Sequence, residues 1–170
     1  MAMGPEATDT QKRLAEVSLA VAEFTHAHWL FGNLYEAVVK VPHRVAGSQD
    51  NLELHRSPLG AGSPGRYYAP LAPLTLPTAA LALVAGWNLP VSRPWMVTAA
   101  AASAAGSAAT AYLLRSVNPP LFFGPEPLSE MRQKPLLARW YRVNAFRLAA
   151  GAVALVAIDR ARTLTLPTCR

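Results

Sequence analysis

The chain has 170 residues, of which 52% are hydrophobic and only 15% charged, against roughly 25% charged in ordinary soluble domains. That length holds one compact domain, and its net charge of +6 is scattered, with no basic run interleaved with aromatics, which argues against nucleic acid as a partner. The lone cysteine, Cys169, excludes an intramolecular disulfide and a cysteine metal cluster.

In chain order, residues 1–12 read as a flexible polar N-terminus with a helix start near Thr8 or Thr10. Glu6, Asp9 and Glu16 speak against a cleavable signal peptide. The first predicted helix runs from Leu14 to Val41 and is stopped by Pro42. A long loop rich in Gly, Ser and Pro follows, Pro42–Pro70; its Gly60–Gly65 stretch lacks the lysine and flanking strand of a phosphate loop.

Leu71–Leu89 (19 residues) and Trp95–Leu114 (20 residues) carry no charge. Roughly 20 apolar residues at about 1.5 Å each match a hydrocarbon core of about 30 Å, so these read as the second and third helices, both crossing a membrane. A soluble bundle is the rival, but two such helices would have no polar face to show water. The third helix holds Thr98–Thr110, almost entirely Ala, Ser, Gly and Thr, residues that permit close helix approach in lipid. Asn118–Pro127 reads as a Pro-rich loop, Leu128–Arg139 as a short interfacial helix and Trp140–Ile158 as the fourth helix. The predicted fold is all-α: a polytopic membrane four-helix bundle, residues 13–162, with a tail at 163–170. The Lys and Arg distribution places the long loops on the cytoplasmic side of a cell membrane.

Ionisable groups at membrane depth are costly and mark candidate sites. At about 100° per residue, Glu16, Glu23, His26, Trp29, Asn33, Glu36 and Lys40 share one stripe of the first helix. Trp140, Asn144, Arg147 and Gly151 form an i, i+4, i+7, i+11 stripe on the fourth. Measured from Val41 and Trp140, Glu36 lies about 8 Å deep and Arg147 about 10 Å, so the two are predicted to sit level and pair. Glu23 and His26 are predicted to pair at i, i+3. Asn33, Glu36, Asn144, Arg147 and His26 are therefore the candidate catalytic residues. Trp29, Trp140, Tyr67 and Tyr68 are candidate substrate contacts. Both ion pairs are equally consistent with helix locking, and the tryptophans with packing or headgroup anchoring. No metal or cofactor site is predicted.

The segment Leu136–Ile158, with Trp140, Asn144 and Arg147 entering a small-residue apolar run, resembles the closing helix of the anthrone-oxygenase-like family of small four-span membrane proteins. The resemblance implies a membrane-embedded enzyme of secondary metabolism, a monooxygenase of antibiotic or other polyketide biosynthesis acting on a hydrophobic aromatic substrate. Molecular oxygen would then be the co-substrate. Two alternatives remain open: a cofactor-free cyclase or isomerase, and a non-catalytic scaffold or transporter accessory, which would work as a homo-oligomer.

Overall fold

The computed structural model describes residues 8–42, 66–67, 70–124 and 128–165, and these form four helices with no strand. Helix α1 (Asp9–Tyr35) begins at the start expected near Thr8 or Thr10, within the segment otherwise read as flexible, because Thr8 builds a capping box. The Thr8 hydroxyl oxygen accepts from the Gln11 N–H at 3.2 Å, and the Gln11 side-chain oxygen accepts from the Thr8 N–H at 3.0 Å, so two orphan donors of the first turn are satisfied. Hydrophobic spacing does not reveal this polar first turn. A π-helical turn, Glu36–Lys40, carries α1 on to Val41 and Pro42, the last described residues of this stretch. A proline ring clashes with the carbonyl four residues back, here Val38, and widening the preceding turn relieves that clash.

Helix α2 (Thr75–Ala85) follows a 3-10 turn, Ala72–Leu74. It is shorter than the predicted span Leu71–Leu89. Ala72–Ala85 rises about 21 Å, short of a hydrocarbon core. Gly86 ends it, and a Cβ there would collide with the Met96 side chain.

Helix α3 (Arg93–Tyr112) continues through a π turn, Leu113–Val117, into helical Asn118–Phe122, replacing the start of the expected Pro-rich loop. Pro119 and Pro120 fall in a first turn, where a missing N–H costs nothing. The π turn ahead of them closes through the Asn118 N–H to the Leu113 carbonyl. Helix α4 (Glu130–Thr165) is one helix of 36 residues, about 54 Å long, in place of the expected interfacial and spanning pair, and it reaches into the expected tail. Pro135 frees only the Met131 carbonyl, and Met131 is exposed, so solvent serves that group.

The helices form a ring in which α1 and α3 each pack on α2 and α4, the α3–α4 contact being the most extensive. Neighbours are antiparallel: Glu23 of α1 meets Arg162 of α4, and Glu36 meets Arg147. Two clusters fill the ends. One is built of Ala15, Leu19, Ala22, Ala82, Met96, Ala99, Ala157 and Ile158. The other joins Val41, Leu113, Val117 and Trp140. Within the small-residue run, Ala99, Ser103, Gly106 and Ala109 are the buried face of α3, and their size lets the helices approach closely.

Polarity in this bundle runs opposite to that of a water-soluble domain. Val17, Phe24, Phe31, Val38, Val84, Phe146 and Val156 are exposed, while Thr25, His26, Asn33, Ser103, Asn144 and Arg147 are buried. Two helical stretches, Arg93–Phe122 and Glu130–Thr165, are long and apolar enough to cross a membrane, and only 28% and 39% of their apolar windows are buried. The core helix of a soluble domain would bury most of that surface.

Candidate functional site

Glu36 begins the π turn of α1, and Arg147 occupies the inward face of α4, about one turn past Asn144 and two past Trp140. The Arg147 guanidinium stands 3.5 Å from the Glu36 carboxylate, with the two side chains 5% and 18% exposed. The guanidinium also lies 5.7 Å from the Trp29 ring centroid, within cation–π range. Three of the polar candidates on two helices therefore converge: the carboxylate supplies the counter-charge, and the indole covers one face of the cation.

Asn33 and Asn144 complete the same interior, both essentially inaccessible. The Asn33 amide donates to the Trp29 carbonyl at 2.6 Å, which fixes its oxygen as the free end. Among the described residues neither the Asn33 nor the Asn144 side-chain oxygen has a hydrogen-bond partner, and the same holds for Asn118. Buried acceptors of this kind call for a donor, whether water or ligand.

His26 does not pair with Glu23. Its Nδ1 lies 2.7 Å from the Ala22 carbonyl and its Nε2 2.7 Å from the Ser103 hydroxyl. A carbonyl only accepts, so Nδ1 carries a proton toward Ala22, while the single Ser103 hydroxyl proton has two acceptors in reach, His26 Nε2 and the Ala99 carbonyl at 2.6 Å. Glu23 instead meets Arg162 across the α1–α4 seam. An i, i+3 neighbour on the same helix is outcompeted here by a guanidinium on the next.

His26, Trp29, Thr75, Ser103, Ser107 and Gly151 line a cleft of about 200 Å³, its open mouth included. Trp29 reaches this cleft because Gly106 and Gly151 make room for it: a Cβ on Gly151 would stand 2.7 Å from the indole ring. Ser103, Thr75 and Ser107 were not singled out by sequence. They sit in runs of small or apolar residues, and only the partner helix reveals that Ser103 serves His26.

Trp140 does not line this cleft. It is buried among Val41, Leu113 and Val117, with Phe122 and Tyr141 edge-on to its ring at 6.1 and 5.1 Å. Tyr67 lies outside the cleft as well: its ring stacks on His28 at 4.0 Å, and its carbonyl accepts from the His28 ring at 2.9 Å. Tyr68 falls outside the described residues, as do His43, His55, Gly60–Gly65 and Cys169. Among the described residues no group of three or more His, Cys, Asp or Glu side chains is arranged to hold a metal ion.

No family model, no curated protein and no solved structure matches the chain.

Proposed function

We propose that the chain is a multi-pass integral membrane protein whose Glu36–Arg147 pair, with Asn33 and Asn144, forms an intramembrane site for a hydrophobic aromatic substrate. One observation carries this reading: a charged pair lies inside a bundle whose outer faces are Phe, Val and Leu. Ionisable groups at that depth are expensive to keep, and function is the usual reason they persist. A flat apolar molecule of the anthrone type partitions into the bilayer before it binds. Arg147 then stabilises the oxyanion formed when a phenol or activated methylene is deprotonated, and Glu36 accepts the proton. Molecular oxygen takes the carbanion's electron pair to form a peroxide, Glu36 returns its proton to give the hydroperoxide, and loss of water from it leaves the ketone, so no further reductant is needed. The cleft beside Trp29 measures only about 200 Å³ with its open mouth counted, so admission of a fused ring system requires the helices to part around Trp29.

A second reading has its own support. Glu23–Arg162 is another α1–α4 ion pair, and two such pairs along one seam suit a structural lock. The double variant Glu36→Gln, Arg147→Met separates the two. Wild-type protein in detergent is expected to convert an extracted anthrone, read by mass spectrometry of the product. The folded double variant is expected to be inactive. Activity and stability recovering together in the double variant would establish the lock and remove the site.

A further inference from the structure

We infer that the outward face of α4 is a binding stripe for an anionic phospholipid. The inference rests on the membrane reading above but not on any catalytic role. At about 100° per residue, Arg132, Arg139, Arg142, Phe146, Val153 and Arg160 fall within a strip about 80° wide. Trp140, Asn144 and Arg147 point away from it, and the buried Ala150 and Ala157 lie along its inner edge. All six of these side chains are exposed.

The strip reads along its length as a phospholipid does. Arg139 and Arg142 stand one turn apart, about 4.5 Å along the axis, and neither has an ion-pair partner among the described residues. Guanidinium groups present planar forks that match phosphate oxygens. Below them the same face turns apolar, with Phe146 and Val153 half-exposed, the surface an acyl chain covers. From Arg142 to Arg160 is a rise of about 27 Å, close to the thickness of a hydrocarbon core of about 30 Å. Arg142 thus marks one headgroup boundary and Arg160 the other.

Charge selects an anionic headgroup over a zwitterionic one. At the Trp140 end of the bundle, Lys40, Arg115, Arg132, Lys134, Arg139 and Arg142 face one exposed carboxylate among the described residues, Glu130, already paired with Lys134 at 3.3 Å. At the other end, Lys12, Arg13, Arg93 and Arg160 are interspersed with Asp9, Glu16 and Asp159. The surplus positive charge lies where Arg139 and Arg142 project.

The test uses the full chain reconstituted into nanodiscs of phosphatidylcholine alone or mixed with phosphatidylglycerol. Lipid retained on release into detergent is counted by native mass spectrometry. Phosphatidylglycerol is expected to be enriched on the protein over its share of the bilayer. Each basic side chain near an anionic headgroup contributes roughly fivefold in affinity, so Arg139→Gln with Arg142→Gln is expected to weaken retention about 30-fold. Lys12→Gln, an exposed cation at the opposite end of the bundle, is expected to leave it unchanged. Equal retention of both lipids, or a preference that survives the double variant, overturns the stripe while leaving the membrane reading intact. Failure to enter either nanodisc overturns both.

Discussion

Arg147→Ala is expected to destabilise the protein by about 3–5 kcal/mol, the usual cost of removing one partner of a buried ion pair. The Glu36 carboxylate, whose side chain is 18% exposed, then faces the interior without its counter-charge, and the Trp29 ring loses the cation beneath it. Conversion of Arg162 to Ala supplies the comparison. It breaks a pair with side chains 42% and 32% exposed, and pairs that open to solvent are worth roughly 0–1 kcal/mol. Melting temperatures in one detergent check both. The Arg147 variant should fall far below the wild type and the Arg162 variant stay near it; equal shifts would mean that depth along the α1–α4 seam makes no electrostatic difference.

Trp140→Ala is expected to cost about 3–5 kcal/mol, the range for deleting a fully packed aromatic ring. The indole is 1% exposed and closes the cluster of Val41, Leu113 and Val117. Lipid cannot enter the hole to replace the lost dispersion contacts, so the cavity cost persists in a bilayer. Trp140→Phe, which keeps a ring against Phe122, should recover much of the loss. Guanidinium-independent thermal melting of the two variants reads this directly. A Trp140→Ala protein as stable as the wild type would contradict the packing role of the indole.

Helix positions were legible wherever apolar length alone decides them, as in the third helix and the apolar part of the fourth. Ends were not, because they turn on local hydrogen bonding. The π turn at Leu113–Val117 carries α3 through Pro119 and Pro120, which composition reads as a loop, and α4 runs unbroken through Pro135. The second helix failed in the other direction. Leu71–Leu89 is apolar throughout, yet only Ala72–Ala85 is helical, since Gly86 and the turn that follows fold back toward Arg93.

For the site, helical spacing and depth were enough to bring Glu36 to Arg147, because the two residues lie level on the facing sides of α1 and α4 even though α1 widens into its π turn at Glu36. They were not enough for His26. Its partner is a serine 77 positions away on α3, in a stretch whose composition signals close packing and nothing else. Glu23 shows the same limit, finding Arg162 across the bundle rather than its own helix neighbour. Side-chain pairs within one helix can be read from spacing. Pairs between helices require the rotation of both about their axes, which a single sequence leaves free.

The central claim is that the apolar outer faces of these helices meet lipid. Alkaline carbonate washing of membranes from expressing cells tests it most directly, because it strips peripheral proteins and leaves integral ones in place. The chain is expected to remain in the membrane pellet and to need detergent for release. Recovery in the supernatant as a monodisperse, folded protein without detergent would contradict the claim.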